Sequence, residues 1–222
     1  MAQLKRCPQT VQQQYWEVHV FALLGALRIA MLWFADALQA LRTGLGVPFS
    51  QLATFGAVLR TPMVLLYGLV LLLLYGQLLR GRKVAPLILD GLGVWATFNL
   101  FVHFIKINLL MFSEAVDPKL LLGQVITYLL FFVLAWGWIF WRLDRVAGPE
   151  AQAIVSVPSA AEGEGSFDYY YASLMSILEG RMSMFQGVSR LGKSLVAMHS
   201  LMVLDLAAIA LARFYQLVQK SI

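Results

Sequence analysis

A handful of ionisable residues stand inside otherwise apolar stretches of this sequence, and their spacing limits the chemistry they could share. His103 and Lys106 are three apart, so a helix puts them on one face, as a proton relay requires. Arg28 and Asp36 are eight apart and also share a helical face. His199 and Asp205 are six apart and do not. Charges within an apolar span are unfavourable and normally turn inward to a partner. For His103 and Lys106 the other reading is that they approach the far interface of that span and snorkel. A membrane enzyme would have to use His103, Lys106, His199 and Asp205, yet neither an activated nucleophile nor a metal cluster accompanies them. No catalytic residue is assigned, and the chain is not read as an enzyme.

Metal and redox chemistry are equally poorly supplied. His19, His103 and His199 are widely separated, and Cys7 is the single cysteine. An internal disulfide is excluded, and no metal ligand or cofactor is expected. The sequence also lacks a phosphate-binding glycine motif and a G-x-S-x-G nucleophile turn.

The elements that carry these residues must be membrane helices. Of 222 residues, 60% are hydrophobic and 13% charged, whereas soluble chains carry about 25% charged residues. The mean hydropathy is +0.73. The fold class expected is an all-α membrane protein with about five transmembrane helices. The net charge of +5 fits lysines and arginines that flank spans and meet lipid headgroups. No basic run exceeds Arg80-Gly81-Arg82-Lys83, so nucleic acid is not an expected partner.

The N-terminal segment is 1–17, and the apolar stretch after it reads as a retained span. Spans are expected at 18–41, 63–79, 84–112, 120–141 and 191–215. Gly44, Gly46 and Pro48 signal a turn, and Pro62 opens the second span. Trp136, Trp138 and Trp141 crowd the end of the fourth span, which places that end at a membrane surface. Residues 142–166 read as a long hydrophilic loop. After aromatic residues 167–171 comes an apolar run, 172–178, too short to cross. Gly180, Arg181, Ser183 and Gly187 then read as non-helical. A short re-entrant helix between the last two spans fits this pattern.

A span, a long loop, a short aromatic-led helix, an irregular segment and a final span form a recurring plan. Gly123, Tyr128-Leu129-Leu130 and Trp136-Gly137-Trp138-Ile139-Phe140 follow an outer-helix pattern, G…YLL…WAxxY. Phe167-Asp168 and Tyr170-Tyr171-Ala172-Ser173 parallel "DxLYFSF". Val188-Ser189-Arg190-Leu191-Gly192-Lys193-Ser194-Leu195 parallels "PLARSL" or "PLGKSL", and Ala210-Leu211-Ala212-Arg213 parallels "LIAR". On these residues the stretch 117–217 resembles the bacterial ion-channel family, potassium-channel pore-domain-like proteins of the two-pore type.

The apolar stretches make 18–112 a region of transmembrane helices, and the resemblance implies a pore domain over 113–222. Within it come an outer helix 120–141, a loop 142–166, a pore helix and filter-like loop 167–190 and an inner helix 191–215. Tyr171, Ser173 and Ser176 would lie on the pore helix, and His199 and Asp205 on the inner helix. Counting back from Ser194-Leu195 without gaps puts Leu178, Glu179, Gly180, Arg181, Met182 and Ser183 where the family reads T-V-G-Y-G-D. Only Gly180 is shared. Leu178 cannot supply the threonine hydroxyl, and Met182 lacks the conformational freedom of the second glycine. The inner-helix glycine falls on Val203. The resemblance therefore implies a degenerate selectivity filter.

It also implies a homotetramer in the bacterial inner membrane that passes inorganic ions. A Glu179 ring would favour cations, with Arg181 two residues away. The alternative is a non-conducting channel-fold subunit that binds a membrane partner. One conflict arises. The family's orientation would place Arg80, Arg82 and Lys83 outside, where the positive-inside rule would not.

Overall fold

The structure is a computed structural model that describes residues 10–40, 47–111, 118–147, 154–157, 166–178 and 185–221. Its elements are α1 (Val11–Ala40), α2 (Val47–Leu79), α3 (Pro86–Met111), α4 (Pro118–Ala147), β1 (Val155–Ser156), α5 (Ser166–Leu178), β2 (Gln186–Gly187) and α6 (Arg190–Ser221). Among the described residues, five helices are long and apolar enough to cross a membrane: Val11–Phe34, Pro62–Leu79, Pro86–Asn108, Lys119–Arg145 and Arg190–Ala212. This is the membrane-protein class that composition implies.

The helix ends follow local chemistry. Thr10 and Gln13 exchange hydrogen bonds, each side chain accepting from the other's backbone N–H, at 3.3 and 3.1 Å. That reciprocal box satisfies two orphan donors and starts α1. α2 stops at Gly81, whose φ of 68° suits glycine. There Arg82 N–H donates to Gln77 O and Gly81 N–H to Leu78 O, the paired bonds of a Schellman turn. Ser189 caps α6, its hydroxyl accepting from Gly192 N–H at 2.9 Å.

Several expected boundaries move: α1 begins at Val11 rather than 18, and α6 runs on to Ser221 rather than 215. α2 begins at Val47 and runs through Pro62, rather than turning there and opening a new helix. Only one intrahelical bond is forfeited at a proline, and apolar surroundings favour keeping the rest. α4 continues six residues past 141, to Ala147.

α4 is the central helix. It packs on α1, α3, α5 and α6, and buries Tyr128, Phe131, Phe132, Trp136 and Phe140 completely. α2, by contrast, exposes Leu65, Leu66, Leu69, Leu72 and Leu73, an outward apolar surface that lipid must cover. The three tryptophans near the end of the α4 span turn inward. Trp136, Trp138 and Trp141 are all buried in the protein. Trp138 packs on Phe21 and on Gly93, and its Nε1–H donates to Glu17. Tryptophan is large and apolar enough to be worth more as core where a neighbour leaves room, as Gly93 does.

One end of the bundle is tied by polar contacts. The Gln14 amide bridges both backbone groups of Val84, at 2.9 and 3.0 Å. Arg145 donates to Gln13, and Asp144 accepts from Ile154 and Val155 N–H. The link carrying Arg82 and Lys83 therefore lies at the same end as β1 and β2. In a Cys7→Ser background, Arg82→Cys and Gln186→Cys should both react with an impermeant maleimide from one side of sealed, uniformly oriented vesicles. Labelling from opposite sides would contradict this arrangement.

Candidate functional site

Of the residues singled out by sequence, Ser173, Ser176 and His199 come together where α4, α5 and α6 meet. α5 packs mainly on the C-terminal part of α4. Tyr169 donates to Asp144 Oδ2 at 2.8 Å. One residue on, Tyr170 lies against Gly137, where an added Cβ would fall 2.9 Å from the Tyr170 Cα. Only glycine permits that approach. Further along, Ser176 Oγ meets His199 Nε2 of α6 at 3.5 Å. The His199 ring lies 5.0 Å from Phe132 and 5.2 Å from Trp136. So α5 descends beside α4 from the level of Asp144 towards that of Phe132, within the apolar stretch of α4.

The chain then comes back. Phe185 packs on Phe140 at 4.3 Å and on His199 at 5.5 Å. β2 pairs antiparallel with β1, Val155 opposite Gly187, and β1 hangs from the Asp144 carboxylate. The segment from α5 to β2 thus starts and finishes beside Asp144. β1 sits inside the stretch 142–166 read as a plain loop from sequence, and β2 inside the stretch 167–190 read as a pore helix and filter-like loop. These strands are two residues each, too short for an alternation signal.

No known protein family matches the chain, and the curated proteins and solved structures compared with it are likewise without a match.

The expected site residues divide. Glu179, Gly180, Arg181, Met182 and Ser183 lie outside the described residues. Leu178 ends α5 and is exposed. On α5, Ser173 and Ser176 turn inward and are buried, whereas Tyr171 is outward. Ser176 Oγ donates to Ser173 O at 2.7 Å. The Ser173 hydroxyl and Trp136 Nε1 are buried without a hydrogen-bond partner among the described residues. His199 stands in a box of Phe132, Trp136, Phe140 and Phe185. Asp205 is elsewhere, accepting from Asn108 Nδ2 at 2.8 Å. His199 and Asp205 therefore have separate partners, as their spacing implied. His103 is buried, its ring 6.4 Å from Phe131, while Lys106 beside it is exposed. The Arg28 guanidinium lies 4.2 Å over the Trp95 ring, and the side chain of Asp36 lies outside the described residues. No cluster of three metal-binding side chains occurs among the described residues.

A charged network supports this junction, and sequence reading missed it. Arg142 donates to Asp90 Oδ1 at 2.7 Å and to Glu17 Oε1 at 3.3 Å. Glu17 is 1% exposed. The network joins α1, α3 and α4 at the level where α5 begins. Burial, with the Glu17 carboxylate nearby, pushes the Tyr170 phenol well above its usual pKa. Tyr170 thus stays protonated and neutral. Glu17 and Arg142 each flank an apolar run, and Asp90 lies inside one, so none of them points to the others in sequence. Only their partners distinguish them.

Proposed function

We propose that the chain is a homotetrameric, cation-conducting pore of the bacterial inner membrane, with a degenerate selectivity filter. In this reading α4 is the outer helix, α5 a re-entrant pore helix, 178–183 the filter-like loop and α6 the inner helix. One observation carries the reading. α5 lies alongside the apolar part of α4, and the segment after it returns to the end at which α5 began. Thirteen residues of helix span about 20 Å, short of the ~30 Å hydrocarbon core. A helix of that length is too short to cross, which suits a re-entrant segment.

The cation preference rests on electrostatics. The C-terminus of α5 carries the partial negative end of its dipole directly before 179. Glu179 adds a carboxylate, and Arg181 reduces its effect. A stripe of Phe167, Tyr171, Leu174 and Leu178 is exposed on α5 at helical spacing. On α6, Leu204, Leu211 and Tyr215 do the same. Neighbouring copies would cover part of both stripes.

The test is a planar-bilayer recording of the purified protein under potassium, sodium and chloride gradients, beside Glu179→Gln. Discrete cation-selective currents are expected, with selectivity reduced at least several-fold in the variant. Silence from intact tetramers would instead favour a non-conducting subunit that binds a membrane partner.

A further inference from the structure

A groove of about 420 Å³ runs between α3 and α6, away from the aromatic box of His199. Phe101 and Phe104 line it from α3, and Met198, Leu201, Met202 and Asp205 from α6. Five of these six side chains are apolar, and the sixth is a carboxylate. The Asn108 amide donates to Phe104 O at 3.1 Å and to Asp205 Oδ2 at 2.8 Å. One carboxylate oxygen is thereby held from the side. No lysine, arginine or histidine pairs with Asp205 among the described residues. Asp205 lies seven residues inside the apolar stretch Arg190–Ala212, about 10 Å along the helix from its end. A carboxylate at such depth is unfavourable without a counter-charge.

We infer that this groove binds a lipophilic organic cation, a monovalent ammonium or phosphonium with an apolar body. The charge would sit against Asp205, whose orientation Asn108 sets. The faces of Phe101 and Phe104 add cation–π attraction, and Met198, Leu201 and Met202 enclose the apolar part. Methionine is flexible enough to adapt to different shapes. An inorganic cation fits poorly, because one carboxylate and an otherwise apolar wall cannot replace its oxygen shell. A lipid tail would make no use of the carboxylate. The inference is independent of whether the protein conducts ions.

Radiolabelled tetraphenylphosphonium should bind the full-length protein saturably in nanodiscs of phosphatidylcholine, which carries no net charge. Asp205→Asn removes the charge and keeps a polar partner for Asn108. It should weaken binding about 10-fold or more. Leu201→Trp leaves Asp205 intact and fills the groove from an exposed position, so it should weaken binding by a similar factor. Size-exclusion profiles of both variants should match that of the wild type. Three results would overturn the inference: uptake no greater than in protein-free nanodiscs, wild-type affinity in both variants, or equal competition by uncharged triphenylmethanol.

Discussion

Arg142→Met is expected to destabilise the protein by about 3–5 kcal/mol, because it strips the guanidinium from a buried carboxylate. Glu17 is 1% exposed and receives Arg142 Nη1 at 3.3 Å, beside Trp138 Nε1 at the same distance. Asp90 loses its 2.7 Å partner as well, though it is partly exposed and can be hydrated. The loss should appear in urea or dodecyl sulfate unfolding of detergent-solubilised protein. Adding Glu17→Gln to the Arg142→Met background should restore a good part of it, since a neutral amide needs no counter-charge. If the double variant is no more stable than Arg142→Met, the effect belongs to packing and not to the ion pair.

Gly137→Val is expected to separate α5 from α4 and to abolish any current. A Cβ at 137 would collide with Tyr170 Cδ1 and lie 2.9 Å from its Cα. The ring could swing away; the backbone could only move with the whole helix. Overpacking of this kind destabilises by about 1–3 kcal/mol, and more when backbone must shift. Amides 167–178 should exchange hydrogen faster in the variant, while those of α1 and α3 keep their protection. Gly68 supplies the control. Nothing lies within 4 Å of a Cβ there, so Gly68→Ala should be neutral or stabilising by up to about 1 kcal/mol through helix propensity. Unchanged exchange across α5 in Gly137→Val would mean that the contact does not hold α5 in place.

The spans were legible because each is a long apolar run, and lipid imposes that pattern whatever the neighbours are. Proline and glycine signals were less reliable. Pro62 lies within α2, whereas the glycine after Leu79 and Arg80 does end that helix. The tryptophans of α4 show the limit of residue statistics. Their enrichment at membrane surfaces is an average, and here Gly93 and the Glu17 carboxylate draw Trp138 into the core. β1 and β2 escaped notice because four residues cannot display a period. Their pairing depends on the Asp144 carboxylate, which is ten and eleven residues from the amides it holds.

The same division applies to the site. The sequence alone determined that 167–178 is short, aromatic at its start and unable to cross a bilayer, because length and composition suffice for that. It determined too that His199 and Asp205 face different ways, because helical geometry sets their angle. Only the tertiary structure decided what each faces: an aromatic box drawn from α4 and the return segment for His199, and Asn108, 97 residues away, for Asp205. It alone joined Glu17, Asp90 and Arg142 across three helices. A residue's own helix fixes its direction, but a buried charge is stable only if another helix brings its partner, and that pairing has no local signature in the chain.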